Sequence, residues 1–436
     1  MSAADLLSSP AAMLSGEDGQ VPVVLGVTCS VTGRQWRWRA GAQASHTDRM
    51  GMAIAQQADL PEIVGRMLAL RGVAPEQVGT YLTPTLNDLM PNPSTLMDMD
   101  IAATRLAAAI SNGETVGLFG DYDVDGACST ALLATFLQDA GCTVLTHIPD
   151  RMTEGYGPNI PAIEAMQDAG ASLIVCLDCG TAAVEVLEHV SGRSDVIILD
   201  HHQVQGPLPK VVATVNPNRP DCPSRLHGLC AAAVTFMTII ATRRALREAG
   251  WFDTRPQPRL LDCLDLVALA TVCDVMPLHG LNRAFVTQGL KIMTGRRRVG
   301  LAALLEVAGA RDPFSAFTCG FALGPRINAG GRIADSGLGL RLLLCADPAE
   351  ARVLAERLNS VNHNRQGVEA GILDRAMELA AAQRARGHAV LVLSGRDWHP
   401  GVVGIVAGRI KEKFNRPVLV GAEMEDGSVK GSARSV

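Results

Sequence analysis

From about residue 115 onward, short apolar runs alternate with longer amphipathic stretches. The runs at 116–119, 144–148, 173–177 and 196–199 have the length and composition of buried strands. The stretches at 127–140, 160–169 and 181–190 between them have helical length. Such alternation predicts an α/β fold, a parallel sheet covered by helices on both faces. Ligands of such sheets bind beyond the carboxyl ends of the strands. Polar residues placed just after each apolar run are therefore the first candidates for function.

Further helices are predicted at 229–249 and 260–271. Residues 348–387 contain no proline after Pro348 and are dense in Ala, Leu, Glu and Arg. They predict one long helix joining two domains, with Gly367 and Gly371 as the places where it would break. Beyond it a smaller α/β unit begins, with strands at 390–393 and 417–420 around a helix at 402–414. Upstream, 60–110 reads as helical, interrupted at Pro84, Pro91 and Pro93. The first 20 residues read as a mobile tail. The predicted organisation is thus a tail and short β segment at 1–45, a helical region at 46–110 and a main α/β domain at 111–340. A connecting helix at 341–387 and a partial α/β domain at 388–436 complete it.

Hydrophobic residues make up 47% and charged residues 19%, a globular balance rather than that of a disordered chain. No apolar run approaches the ~18 residues of a membrane span, so no membrane partner is expected. The net charge, 39 − 44 = −5, excludes a basic nucleic-acid coat but leaves room for a local basic groove. Arg34-Gln-Trp-Arg-Trp-Arg39 alternates basic and aromatic residues. That pattern fits base stacking, but an alternating strand with a tryptophan face is the favoured reading. Eleven scattered cysteines suit a reducing cytoplasm better than a disulfide scaffold. The N-terminal residues also lack the basic-then-apolar order of a secretion signal.

Three strand ends carry acidic motifs. After the first run comes GDYDVDG at 120–126, with Asp121, Asp123 and Asp125 at alternate positions. Three such carboxylates repel one another unless cations neutralise them. The segment shares D-x-D-x-D-G with calcium loops, but a strand precedes it and the closing Glu of a twelve-residue loop is missing. Asp178 follows the third run, between Cys176 and Cys179. A zinc or redox reading of that C-x-x-C lacks a second pair, and Cys176 lies inside the strand. Asp200-His201-His202 follows the fourth run, and Asp274 lies in the apolar segment 270–277. A buried carboxylate without a partner is costly. An oxygen-rich set with one or two imidazoles suits Mn²⁺, with Mg²⁺ as a possible substitute. Its size predicts two ions rather than one. Arg151, Arg326 and Arg332, with Asn328 between the last two, offer forks for phosphate oxygens. The run 296–298 of three arginines reads as a solvated face.

These motifs resemble the DHH phosphoesterase superfamily and, within it, the RecJ family of single-stranded-DNA-specific exonucleases. The resemblance runs from about Leu25 to the end. It is carried by GDYDVDG, IPDRMTEGYGPN, LDCGT, LDHH, NPNRP, TVCDVMPL, GLNRA and GPRINAGGR, with WHPGVVGIVAG and GSARS in the smaller domain. It implies Asp123, Asp125, Asp178, His201 and Asp274 as metal ligands, with Asp178 bridging two ions. It further implies His202 as the catalytic histidine beside the scissile phosphate, with Asp121 and Asp200 in or near the ligand shell. Arg326, Asn328 and Arg332 match a loop contacting nucleic acid, and Arg434 and Ser435 resemble residues that meet the 5′ end of the strand.

The implied activity is 5′→3′ hydrolysis of single-stranded DNA to mononucleotides, in recombination and repair. Single-strand-binding protein and a RecQ-type helicase are the implied protein partners. Family members usually continue with a Gly-Gly-His motif and an OB-fold, whereas this chain stops at Val436. The 5′-end pocket and one DNA grip are therefore expected to be missing, and Ala233 stands where the family has glycine. Two alternatives remain: a DHH phosphoesterase of pyrophosphate, cyclic dinucleotides or short oligonucleotides, and a scaffold catalytically weakened by the missing end.

Overall fold

The structure, a computed structural model, describes residues 23–37 and 44–436. The expected tail at 1–20, together with Trp38 and Arg39, lies outside the described residues. The chain divides into two compact units, Met1–Asp88 and Leu89–Val436. In the first, helices α1 (Ala44–Gln57) and α2 (Glu62–Ala69) cross closely. A Cβ on Gly65 would lie 2.1 Å from the Gly51 carbonyl oxygen. Ile54, Leu68, Val73 and Val78 form the small core, the last opening α3 (Val78–Leu82). Val23 and Arg37 make one antiparallel bridge. After the short helix α4 (Leu86–Leu89), α5 (Met99–Asn112) begins the second unit and packs on its sheet. The helical region expected at 46–110 is therefore shared between the units.

The sheet of the second unit has strands β1 (Thr115–Gly120), β2 (Thr143–His147), β3 (Ala171–Leu177), β4 (Asp195–Leu199) and β5 (Ala213–Val215), ordered β2-β1-β3-β4-β5. All neighbours are parallel. The order reverses between β1 and β3, which makes that edge the switch point where ligands bind in open α/β sheets. One face packs on α7 (Ile160–Asp168) and α8 (Val184–Val190) through Phe119, Ile163, Ile174, Leu187 and Ile198. The other is covered by α5, α6 (Val124–Asp139) and α9 (Ala231–Glu248). The parallel α/β architecture expected from the alternation is the one observed. The expected run at 181–190 turns helical only at Val184, and β5, three residues long, is too short to announce itself.

Helices α10 (Leu264–Cys273) and α11 (Gly280–Thr294) pack closely, because Gly289 leaves no Cβ to meet the Leu264 carbonyl. Arg298, expected in a solvated run, instead turns inward. Its guanidinium lies 3.0 Å from the buried carboxylate of Asp265, which would otherwise be uncompensated. Helices α12 (Val299–Val307), α13 (Gly324–Ile333) and α14 (Leu338–Leu344) pack along α15 (Pro348–Ala385).

Helix α15 is unbroken over 38 residues, about 57 Å at 1.5 Å per residue. Gly367 and Gly371 do not interrupt it. Each costs only ~1 kcal/mol in a helix, while Ala351, Ala355 and Leu358 on one side and Ile372, Ala376 and Ala380 on the other are buried. The latter three join the core of a three-stranded sheet of β6 (Leu391–Gly395), β7 (Val418–Glu423) and antiparallel β8 (Val429–Arg434). Helix α16 (Val403–Phe414) completes that core.

Gly126 brings the start of α6 against the acidic turn: a Cβ there would lie 2.3–2.6 Å from backbone atoms of Asp121. Gly126→Ala is expected to lower stability by about 1–3 kcal/mol, the usual cost of overpacking. Gly371→Ala, with open space around it, should raise stability by up to ~1 kcal/mol. Urea unfolding midpoints at unchanged m-value check both.

Candidate metal centre

Each aspartate that follows a strand extends the sheet by one more hydrogen bond. The Asp121 amide donates to Leu177 O at 3.1 Å, that of Asp178 to Leu199 O at 3.0 Å, and that of Asp200 to Val215 O at 3.1 Å. The three residues are thereby locked side by side at the carboxyl edge. Asp178 takes φ 63°, a left-handed backbone that costs a non-glycine residue of order 1–3 kcal/mol. Such strain persists where the surroundings fix the residue in place.

Two helix N-termini hold the acidic turn after β1. Asp123 caps α6, its Oδ1 accepting from the amides of Asp125 and Gly126. Asp125 accepts from the Ala231 and Ala232 amides at 2.6 and 2.8 Å, at the start of α9. His201 Nε2 lies 3.2 Å from Asp178 Oδ1, 3.4 Å from Asp274 Oδ2 and 3.7 Å from Asp125 Oδ2. Asp274 reaches the cluster from the C-terminal cap of α10.

Asp121 Oδ1, Asp178 Oδ1 and Asp274 Oδ2 are buried oxygens without a hydrogen-bond partner. Three groups bring potential ligand atoms within 4.8 Å of one another: Asp121, Asp123 and Asp178; Asp125, His201 and Asp274; and Asp178, His201 and His202. Orphaned oxygens converging in this way fit divalent cations with a preference for oxygen and imidazole. Burial, with Asp123 nearby, pushes Asp121 up to about 8. Burial, with Asp125 and Asp123 nearby, pushes Asp274 up to about 7. Asp125 is also raised, and Asp178 well above the carboxylate range, by burial and then by neighbouring carboxylates.

Asp200 is the exception. Burial opposes its ionisation, but the hydrogen bonds from His202 and Thr181 hold it well below the usual range. Its Oδ1 lies 2.8 Å from His202 Nδ1 and accepts the backbone amides of both histidines. That hydrogen bond raises His202 to about 8 despite partial burial. Sequence reasoning missed the supports around the pair. Asn216 donates to His202 O, and Asn218 to His201 O. The Tyr156 hydroxyl lies 3.2 Å from Asp178 O and 3.3 Å from His202 Nδ1. The asparagines lie within the NPNRP motif and Tyr156 within IPDRMTEGYGPN, but neither spacing shows that these side chains meet the histidine segment.

The phosphate-binding candidates are more dispersed. Arg151 lies 5.0 Å over the Tyr122 ring. The GPRINAGGR segment is helix α13 rather than the expected loop. Its glycines permit close packing, since a Cβ on Gly331 would lie 2.6 Å from Tyr122 O. Asn328 accepts from the Val124 amide and so caps α6. Arg326 bonds to Asn359 and Ala322 O, and Arg332 reaches Gly401 O of the smaller α/β unit. Arg434 ends β8, bonded to Ser432 beside Gly404, and Ser435 follows it, exposed. Cys176 and Cys179 are buried free thiols.

The DHH family N-terminal domain matches residues 115–271, and the DHHA1 domain matches 387–436. The single-stranded-DNA-specific exonuclease RecJ of Salmonella typhimurium is 39% identical over 389 residues, 87% of this chain and 67% of that protein. The chain belongs to the RecJ family. The Escherichia coli K12 RecJ is 40% identical over the same shares. A crystal structure of exonuclease RecJ bound to manganese superposes with a TM-score of 0.67 at 34% identity, covering 78% of this chain and 83% of that one. RecJ from Thermus thermophilus in complex with Mn²⁺ gives 0.75 at 30% identity, covering 89% of this chain and 54% of that one.

The raised carboxylates predict opposing responses to protons and cations. A carboxylate raised above its unfolded value of ~4 costs no stability below that pH. The cost grows as pH rises towards the folded value. In EDTA, Asp274→Asn should therefore melt above the wild type near pH 8 and level with it well below pH 4, provided the fold persists there. Mn²⁺ should raise the wild-type melting temperature more at pH 8 than at pH 5. Differential scanning fluorimetry checks both.

Proposed function

We propose that this protein is a single-stranded-DNA-specific exonuclease that hydrolyses phosphodiester bonds 5′→3′ to mononucleotides. The observation carrying this reading is the set of orphaned carboxylate oxygens gathered at the switch point of the sheet, with His201 beside two of them. Asp123, Asp125, Asp178, His201 and Asp274 would hold a pair of manganese ions, with Asp121 beside them; the chemistry supplied is acidification of water and neutralisation of phosphate charge.

The remaining roles belong to side chains. His202, whose pKa its bond to Asp200 raises, would donate from Nε2 to a phosphate oxygen as charge builds there. Tyr156 and the two asparagines would hold the histidine segment in place. Arg151, Arg326 and Arg332 would contact phosphates along the strand, and Arg434 and Ser435 would meet its 5′ end. Asn328, already capping α6, would act by fixing the acidic turn. The RecJ family points to recombination and repair as the setting, in the cytoplasm, with single-strand-binding protein and a RecQ-type helicase as partners.

The test is release of mononucleotides from an internally labelled, 5′-phosphorylated single strand. Release is expected with Mn²⁺, and none with EDTA or on blunt duplex. Asp178→Ala should lower the rate by roughly 10³-fold or more, and His202→Ala by about 10²–10⁴-fold. Faster turnover of pyrophosphate or a dinucleotide than of the long strand would overturn the reading.

A further inference from the structure

Phe317 and Phe321 are 68% and 71% exposed, yet their rings stack 4.8 Å apart at 21°. They flank and join a π-helical turn, Thr318–Leu323, a rare geometry often found at functional sites. The turn is fastened from beneath. Thr318, Cys319 and Leu323 are buried, and the Cys273 thiol donates to Cys319 O at 3.4 Å. Cys273 ends α10 and immediately precedes Asp274. The two exposed rings are thus anchored to the helix that delivers a carboxylate to the metal centre.

Phe321 also borders a cleft of about 370 Å³ lined by Cys273, Arg332, Arg365 and Arg409. Glu369 is the one carboxylate in that lining, bonded to Arg365 at 2.6 Å and to Arg409 at 2.7 Å. Three guanidiniums against one carboxylate leave an excess of two positive charges. Arg365 Nε is in addition buried without a partner. A cationic cleft with a flat aromatic rim, lined in part by Cys273, the residue before Asp274, has the two parts that a single strand requires. Guanidiniums take the phosphates, and rings take the faces of the bases.

We propose that Phe317 and Phe321 form a stacking platform for bases of the strand lying in this cleft. The proposal rests on the nuclease reading and extends it to how the strand is gripped beyond the scissile bond. The grip reads π-faces and is therefore tolerant of sequence.

The experiment measures equilibrium binding of the full chain in Ca²⁺, with strand integrity checked on a gel. The ligands are a 5′-phosphorylated single strand and a series in which one abasic site is moved nucleotide by nucleotide. An abasic site at one or two positions should weaken wild-type binding by about 10-fold. The double variant Phe317→Ala/Phe321→Ala should bind the intact strand about 10-fold more weakly and lose its sensitivity at those positions. Phe321→Trp should retain that sensitivity. A cation-induced melting gain equal to that of the wild type would certify the fold of each variant. Identical abasic profiles in wild type and double variant would overturn the platform and assign the rings to folding or to a protein partner. Failure of the wild type to bind the intact strand would remove the nuclease reading itself, and the platform with it.

Discussion

The centre of this molecule is a set of like charges held together away from water. Asp121, Asp125 and Asp178 are buried, with Asp123 and Asp274 beside them. Such a set is repulsive unless something positive shares the space. The fold supplies part of the answer through helix N-termini: α6 opens on Asp123, and α9 donates two amides to Asp125. His201 stands among the remaining oxygens. The orphaned acceptors of Asp121, Asp178 and Asp274 are what a cation would complete. Loop lengths, glycine positions and the strained backbone of Asp178 become intelligible as the means of holding that arrangement.

The two kinds of carboxylate also behave oppositely. Asp121, Asp125, Asp178 and Asp274 are raised by burial and by neighbouring carboxylates, whereas Asp200, a strand away, is held ionised by the hydrogen bonds it accepts. This split gives the adjacent histidines different neighbours. His201 faces the unsatisfied carboxylates, and His202 is tied to a satisfied one. Two residues of the same type in sequence are thereby separated by their surroundings into a ligand candidate and a cation candidate.

Much of this was legible because two periodicities coincide. Strand-length apolar runs marked the sheet, and the acidic residues fell directly after them, so Asp121, Asp178 and Asp200 could be placed at one edge without coordinates. Asp274 was found by its apolar setting just after a predicted helix, but nothing in the sequence showed that this helix ends at the carboxyl edge of the sheet. Two segments misled. In GPRINAGGR the family resemblance suggested a loop and hid a helix, whose small residues serve close packing against Tyr122. In α15 glycine suggested a break that burial on either side prevents. Arg298 read as solvated because its partner, Asp265, lies 33 residues away. The role of Tyr156, although it lies inside a motif, was hidden for the same reason: its contacts are made only in three dimensions.

The uninterrupted helix α15 also ties the fates of two cores together. Its first half packs on α12, α13 and α14, the last two of which meet α6 beside the main sheet, and its second half contributes Ile372, Ala376 and Ala380 to the core of the smaller one. Neither core can lose this helix without exposing apolar surface in its own interior, and a helix propagates order along its length once formed. The melting of one sheet is therefore coupled to that of the other, so the parts behave as one cooperative unit rather than as beads on a string. Free energy gained when charge is neutralised at the acidic edge would then protect the distant three-stranded sheet as well.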